Sequence, residues 1–186
     1  MAHASHSPAP RDAGFTLVEL MVVVVILGIL AMVAVPAMQR DSKEDNFNKF
    51  VNQFIHDLLR ARHEATGSRE DRSVMLYSTS RYTLEAVLPG SSTVATLRDV
   101  SAPTGVQLSG AVLTTVLPGA STPTPTAPPA QVRYLGTGTV QACTGSACTA
   151  ANNAVTIFFQ TTDALHRARV VIYQSTGYAR RYKGWN

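Results

Sequence analysis

The sequence predicts an α+β protein in which a long N-terminal helix packs on a β-sheet or β-sandwich head. Three observations lead to this prediction. An apolar run extends from Phe15 to Met38, broken by a single charge. Apolar residues then recur at helical spacing as far as Leu59, and after Gly67 the period changes to two. The 186 residues suit one head domain with attachments.

Composition limits the class of protein only broadly. Charged residues make up 15% and hydrophobic residues 45%, which is too apolar for a disordered chain. The net charge of +4 is mild and by itself points to no partner. Its distribution is more informative, because residues 164–186 contain five basic side chains and no acidic one.

The apolar segment 15–38 is long enough to cross a bilayer as a helix, since it rises about 1.5 Å per residue. It follows a polar stretch, residues 1–14, that is rich in small side chains. A signal peptide is disfavoured, because its apolar region would be shorter and would end in an Ala-x-Ala site. A plain anchor does not explain Glu19, since an acidic residue at mid-bilayer costs roughly 2.5–3.5 kcal/mol. Glu19 is therefore a candidate functional residue that needs a positive partner.

The run from Gly14 to Leu20 reads Gly-Phe-Thr-Leu-Val-Glu-Leu and precedes a long apolar stretch. It resembles the prepilin processing motif of type IV pilins and type II secretion pseudopilins. The resemblance implies that a prepilin peptidase removes leader 1–14 by cutting between Gly14 and Phe15, and that Phe15 becomes N-methylated. It also implies a single-pass inner-membrane precursor with a periplasmic head, which then assembles with other pilin or pseudopilin subunits.

The cut would supply the cation that Glu19 needs. Cleavage before Phe15 creates an α-amino group at the head of the helix, and that group is a candidate partner for Glu19 in the same chain or in a neighbour. Such a pair offsets the cost of the buried carboxylate and sets the register between subunits.

Residues 39–66 are predicted to continue the helix with an amphipathic face that lies on the core of the head. Gly67 is the predicted C-cap, so one helix is expected from Phe15 to about Thr66. The apolar stripe consists of Phe47, Phe50, Val51, Phe54, Ile55, Leu58 and Leu59.

The head, residues 67–186, is predicted to be β-rich, with turns at Gly, Pro and Ser. A Pro-rich loop is expected over residues 118–130, because Pro cannot join a central strand. The predicted strands are Ser73–Tyr77, Tyr82–Leu88, Val94–Val100, Val106–Leu108, Ala111–Leu117, Val132–Leu135, Ala154–Phe159, Ala168–Tyr173 and Tyr178–Tyr182.

The only two cysteines, Cys143 and Cys148, lie five residues apart with Gly between them. In a domain outside the cytoplasm this spacing predicts a disulfide that closes a small loop. A zinc site is disfavoured, since no His or Cys follows at ligand spacing.

The stretch from Arg167 to Arg181 is similar to the last hairpin of FimT/GspH-type minor pilins and pseudopilins. In that family a hydrophobic strand leads into Ser-x-Gly-Arg-x-Arg. Here Tyr178 stands at the first Arg, Arg180 keeps the second, and Arg181 follows. In FimT-like minor pilins this motif binds DNA, so the resemblance implies that role for Arg180 and Arg181.

Charge alone adds Lys183 to these candidate DNA-binding residues, with double-stranded DNA as the partner. The interleaved aromatic residues, Tyr178, Tyr182 and Trp185, would either stack on bases or simply pack. The competing interpretation is that the basic residues are solvated strand faces. On it, Arg167 and Arg169 point the same way, away from the apolar side of their strand.

Two functions follow from these observations. The first is a FimT-like minor type IV pilin that binds DNA for natural transformation. The second is a GspH-type pseudopilin, a structural subunit of a type II secretion system. No nucleophile motif, metal-ligand cluster or cofactor motif is present in the sequence, so we expect neither an enzyme nor a bound cofactor or metal.

Overall fold

The computed structural model describes residues 16–87, 94–112, 125–144, 147–150 and 153–185. The leader with Gly14, Phe15 and residues 118–124 of the Pro-rich loop lie outside the described residues. The chain divides into two compact units, residues 1–41 and 42–186, and each is described by itself.

Helix α1 runs from Leu17 to Ser68 and contributes to both units. The predicted C-cap at Gly67 is wrong, because the helix continues through this residue and Arg69 takes the left-handed conformation with φ of 57°. The last turn is completed by a hydroxyl, since Ser68 Oγ donates to the carbonyl of Glu64 at 2.7 Å. The Arg69 carbonyl leaves no space beside Gly136, where an added Cβ would lie 2.6 Å from it.

The predicted apolar stripe of α1 forms the centre of the head. Phe54 is fully buried, and its ring lies 4.9 Å from that of Tyr82 and 5.1 Å from that of Phe159. Ile55 and Leu59 are only partly buried at the margin. The buried members of the stripe are Phe47, Phe50, Val51, Phe54 and Leu58, continued by Ala61 and Ala65.

Two antiparallel sheets complete the head, and the fold is therefore α+β as predicted. The larger sheet has the order β3-β2-β1-β5-β6-β7 and the smaller β10-β9-β8-β4. The strands are β1 (Arg72–Ser78), β2 (Arg81–Val87), β3 (Val94–Ser101), β4 (Val106–Val112), β5 (Ala130–Tyr134), β6 (Val140–Thr144), β7 (Ala147–Ala150), β8 (Ala154–Thr161), β9 (Arg167–Tyr173) and β10 (Ala179–Lys183).

The strand predictions differ from the structure at three places. Strands Val106–Leu108 and Ala111–Leu117 were predicted separately, but β4 is one strand whose register shifts near Gly110. The end of the second predicted strand, residues 113–117, lies outside the described residues. Ala130, placed in the Pro-rich loop by its composition, begins β5. The hairpin β6–β7 was not predicted at all.

The β6–β7 hairpin carries the predicted disulfide. Cys143 and Cys148 face each other across the two strands, with 4.0 Å between their Cα atoms, and their sulfur atoms are bonded. The disulfide closes the hairpin at one edge of the larger sheet.

A buried polar network ties α1 to the larger sheet. Asp57 is 2% exposed, although sequence spacing places it among the polar positions beside the stripe. Its carboxylate accepts hydrogen bonds from Tyr82 Oη at 2.7 Å and from Arg98 Nη1 at 2.8 Å. Burial, together with the bond to Asp57, raises the pKa of Tyr82 above its ordinary value. The network satisfies a carboxylate that would otherwise be buried at high cost.

Two tyrosines that are both fully buried give a direct measure of this network. Tyr82→Phe should lower the free energy of unfolding by about 1.5–3 kcal/mol, because it removes a hydrogen bond to a charged group. Tyr134→Phe is the matched control, since the Tyr134 hydroxyl has no hydrogen-bond partner among the described residues. This control should be neutral or slightly stabilising.

Equilibrium unfolding in urea, followed through the fluorescence of the single tryptophan, measures both variants. Equal losses of stability in the two would contradict a role for the bond to Asp57.

Candidate functional site

The N-terminal motif lies where α1 begins. Thr16 precedes the helix as its N-cap, and Thr16 Oγ1 accepts a hydrogen bond from the backbone N–H of Glu19 at 3.3 Å. Glu19 is thus the third helical residue, and Thr-x-x-Glu is the sequence of a capping box. An acidic side chain there also interacts favourably with the helix dipole. Sequence reasoning missed this capping role, although the spacing contains its signal.

The apolar side chains of the first helical turns lie on the surface of their unit. Those from Leu17 to Met32 are between 47% and 82% exposed. Exposure on this scale is typical of a surface that binds another apolar phase. Within the described part of the chain, no helix is both long and apolar enough to cross a membrane.

The basic C-terminal tract folds as the β9–β10 hairpin at the edge of the smaller sheet. Its turn is tight at Gly177, where φ is 63° and an added Cβ would come within 3.1 Å of the Gly138 carbonyl oxygen. A side chain at this position would be strained, so Gly177 fixes the path of the hairpin.

The structure separates the three predicted DNA-binding residues between two faces of β10. Ala179 packs in the core, so Arg181 and Lys183 share its face, whereas Arg180 and Tyr182 lie on the outer face. Arg180 is exposed, with its guanidinium 5.3 Å from the centre of the Tyr182 ring. The candidate residues therefore do not form one cluster.

The interpretation of these arginines as solvated strand faces is wrong for Arg169. This side chain is 1% exposed, and its guanidinium lies 5.3 Å from the centre of the Tyr182 ring. Its Nη1 also donates to the carbonyl of Trp185 at 3.3 Å. Arg167, two residues earlier, is exposed as expected, and its guanidinium lies 4.7 Å from the Trp185 ring. Alternation along the strand places Arg167 and Arg169 on the same outer face, but it cannot show that Tyr182 and Trp185 lie against Arg169 there.

Two of the interleaved aromatic residues are held in place by the protein. Trp185 Nε1 donates to the carbonyl of Phe159 at 3.3 Å, and its ring meets that of Phe158 edge-on at 5.5 Å. The hydroxyls of Tyr182 and Tyr173 are 3.0 Å apart, within hydrogen-bond distance. Tyr178, in contrast, is 53% exposed. The structure thus favours packing over base stacking for Tyr182 and Trp185.

Arg181 is held by helix α1. Its Nη1 donates to Asn52 Oδ1 at 3.1 Å, and its Nη2 donates to Asn48 Oδ1. Burial lowers the pKa of the Arg181 guanidinium below its ordinary value, while the nearby carboxylate of Glu44 opposes this change. Sequence reasoning missed both asparagines, because nothing in the sequence brings residues 48 and 181 together.

Comparison with known proteins agrees with these features. Residues 10–35 match the family model described as the prokaryotic N-terminal methylation motif. No curated protein matches the chain.

Two solved structures share the fold, both of the minor pseudopilin EpsH from the type II secretion system of Vibrio cholerae. One is 16% identical to this chain with a TM-score of 0.51, and the alignment covers 74% of this chain and 97% of the EpsH chain. The other is 17% identical with a TM-score of 0.52, and the alignment covers 76% of this chain and 97% of the EpsH chain. Residues 10–35 therefore carry the methylation motif, and the chain shares its α+β fold with a minor pseudopilin.

The burial of Arg169 can be tested against its neighbour. Arg169→Ala should lower the free energy of unfolding by about 2–5 kcal/mol, as for other large buried side chains. Arg167→Ala should change it by no more than about 0.5 kcal/mol, because this side chain lies on the surface. Urea unfolding followed by far-ultraviolet circular dichroism measures both, and similar small effects would mean that Arg169 is accessible to solvent.

Proposed function

We propose that this chain is a filament subunit made as an inner-membrane precursor. Prepilin peptidase removes residues 1–14 by cutting between Gly14 and Phe15, and Phe15 is N-methylated. Segment 15–38 then anchors the protein in the inner membrane with its head in the periplasm, until the helix packs among other pilin or pseudopilin subunits. The match of residues 10–35 to the methylation motif carries this proposal.

Glu19 has two separable roles in this proposal. Its position in the capping box stabilises the start of α1, and glutamine serves there as well as glutamate. Its charge pairs with the α-amino group created at Phe15, which glutamine cannot do. The variant Glu19→Gln therefore removes the charge and keeps the cap.

We expect Glu19→Gln to be processed normally but to be depleted from filaments, because its subunits lack the pair that sets their register. The control Gly14→Ala should retain the leader, since the peptidase needs close access to the backbone at the cut. The mass of the mature protein and its content in sheared filaments measure the two steps. Normal incorporation of Glu19→Gln would exclude charge pairing as the basis of assembly.

The head supports a FimT-like minor pilin that binds DNA through the outer face of the β9–β10 hairpin. Arg167 and Arg180 are exposed there, and residues 164–186 contain no acidic side chain. Each guanidinium lies against an aromatic ring, which limits the conformations that it must lose on binding. Two exposed cations on one face of a hairpin are suited to phosphate contacts.

The same geometry favours duplex DNA over single strands. Stacking on single-stranded bases needs free aromatic faces. Tyr182 and Trp185 have arginine guanidinium groups over their rings and hydrogen bonds at their polar ends. Tyr178 alone of the three stays exposed, so the phosphate backbone is the principal target of this surface.

DNA binding is tested with the full-length chain in neutral detergent at several salt concentrations. Removal of one phosphate contact in Arg180→Ala should weaken binding and lower the slope of log affinity against log salt by about 1. Arg69→Ala is the control, because it removes an exposed charge just beyond the end of α1. An unchanged slope for Arg180→Ala, or no binding by the wild type at low salt, would reject this function.

That negative result would favour the second candidate, a GspH-type pseudopilin that serves as a structural subunit of a type II secretion system. The observation in its favour is the fold shared with the minor pseudopilin EpsH. On this alternative the exposed arginines of the hairpin make no contact with DNA.

A further inference from the structure

A second charged feature of the head lies on the face of β10 that carries Arg181 and Lys183, opposite the outer face of Arg180. A pocket of about 150 Å³ opens between the first turns of α1 in the head, the β8–β9 turn and β10. This volume corresponds to about five water molecules, which is enough for one phosphate group. Two cations on this face of β10 line it, Arg181 and Lys183, and Arg167 at the start of β9 also borders it.

The positive charge of this pocket is only partly balanced by the protein. Glu44 is its only acidic lining residue, and no carboxylate within the described ranges lies within 4.0 Å of any of the three cations. The hydrogen bonds of Arg181 go to the neutral amides of Asn48 and Asn52, which orient the guanidinium without neutralising it. Its buried Nε has no hydrogen-bond partner in this part of the structure. The arrangement suits an oxyanion.

An apolar side chain stands beside this charge. Leu165 lines the same pocket and is 76% exposed, more than any other large apolar residue described between 42 and 186. Cations surrounding a protruding leucine are typical of surfaces that bind at the boundary between lipid headgroups and acyl chains.

The position of the pocket in the chain points to the same partner. Glu44 follows the apolar segment 15–38 by six residues, which span at most about 21 Å even when fully extended. Lys43, directly before it, is also exposed and lies 3.8 Å from Asp163 in the β8–β9 turn. In the sequence, Glu44 therefore lies close to the end of the segment that we place in the membrane.

From these observations we infer that the pocket binds the phosphate of an anionic phospholipid headgroup, while Leu165 enters the interfacial region. The inference rests on the membrane anchoring proposed above. It gives the precursor a contact that holds the head against the bilayer before assembly. Duplex DNA suits the pocket less well, because a single small cavity beside an exposed leucine offers no extended track for a phosphate backbone.

The test uses the full-length chain in neutral detergent and short-chain phosphatidylglycerol as the probe. Binding is followed through Trp185, the only tryptophan, whose ring contacts Arg167. Matched titrations use short-chain phosphatidylcholine and inorganic phosphate. We expect phosphatidylglycerol to bind, and the two other probes to bind at least tenfold more weakly.

Two variants remove charge without removing the fold. Lys183→Ala changes an exposed side chain, and Arg181→Gln keeps a hydrogen-bond donor for the helix amides. Each should weaken phosphatidylglycerol binding about fivefold, the usual effect of one basic residue near an anionic surface. Leu165→Ser should weaken it too, whereas Arg69→Ala should leave it unchanged.

Equal binding of phosphatidylglycerol and phosphatidylcholine, or no effect of Lys183→Ala and Arg181→Gln, would overturn the inference. Inorganic phosphate binding as tightly as the lipid would also overturn it, because the site would then recognise any oxyanion. So would a larger loss of duplex DNA binding in these two variants than in Arg180→Ala. Incorporation of the wild-type chain into lipid nanodiscs tests the anchoring separately, since it depends on the apolar segment and not on the pocket.

Discussion

The ring of Phe54 contacts one aromatic ring from each sheet, Tyr82 of the larger sheet and Phe159 of the smaller sheet. This contact places both sheets around the same stretch of α1, because a side chain at the middle of the stripe can be buried only if the two sheets converge on it. Each fully buried aromatic residue contributes roughly 1.5–3 kcal/mol through the hydrophobic effect. The positions of the hairpins at the edges of the sheets follow from this central packing.

The basic surfaces of the head depend on the same constraint. The apolar side of β9 and β10 must face α1, so alternation along β10 sends Arg180 outward and Arg181 toward the helix. Neighbours in sequence thus acquire different surroundings, an aromatic ring for Arg180 and two helix amides for Arg181. A basic stretch that reads as one patch in the sequence is therefore divided between the two faces of β10.

The features that local pattern predicted are those with a strong period. The stripe through Phe47 and Leu58 is predictable because its helical spacing is regular. Most strands are predictable because their residues follow a period of two and the strands are separated by turns at Gly, Pro and Ser. The β6–β7 hairpin was missed because its strands are short and rich in Ala and Thr. The prediction of Gly67 as the cap is wrong for two reasons. The Ser68 hydroxyl bonds to the Glu64 carbonyl in the last turn, and Arg69 packs against Gly136, which is distant in the sequence.

The sequence by itself determined the N-terminal methylation motif and the α+β prediction, because the motif, the apolar segment and the periodicity of the stripe are properties of neighbouring residues. It also determined the cysteine pair, since five residues separate the two thiols. Only the tertiary structure decided which charges are buried, as for Asp57 and Arg169, and which are oriented by distant side chains, as for Arg181. These outcomes depend on contacts between residues far apart in the chain, and such contacts exist only after the helix and the two sheets have packed together.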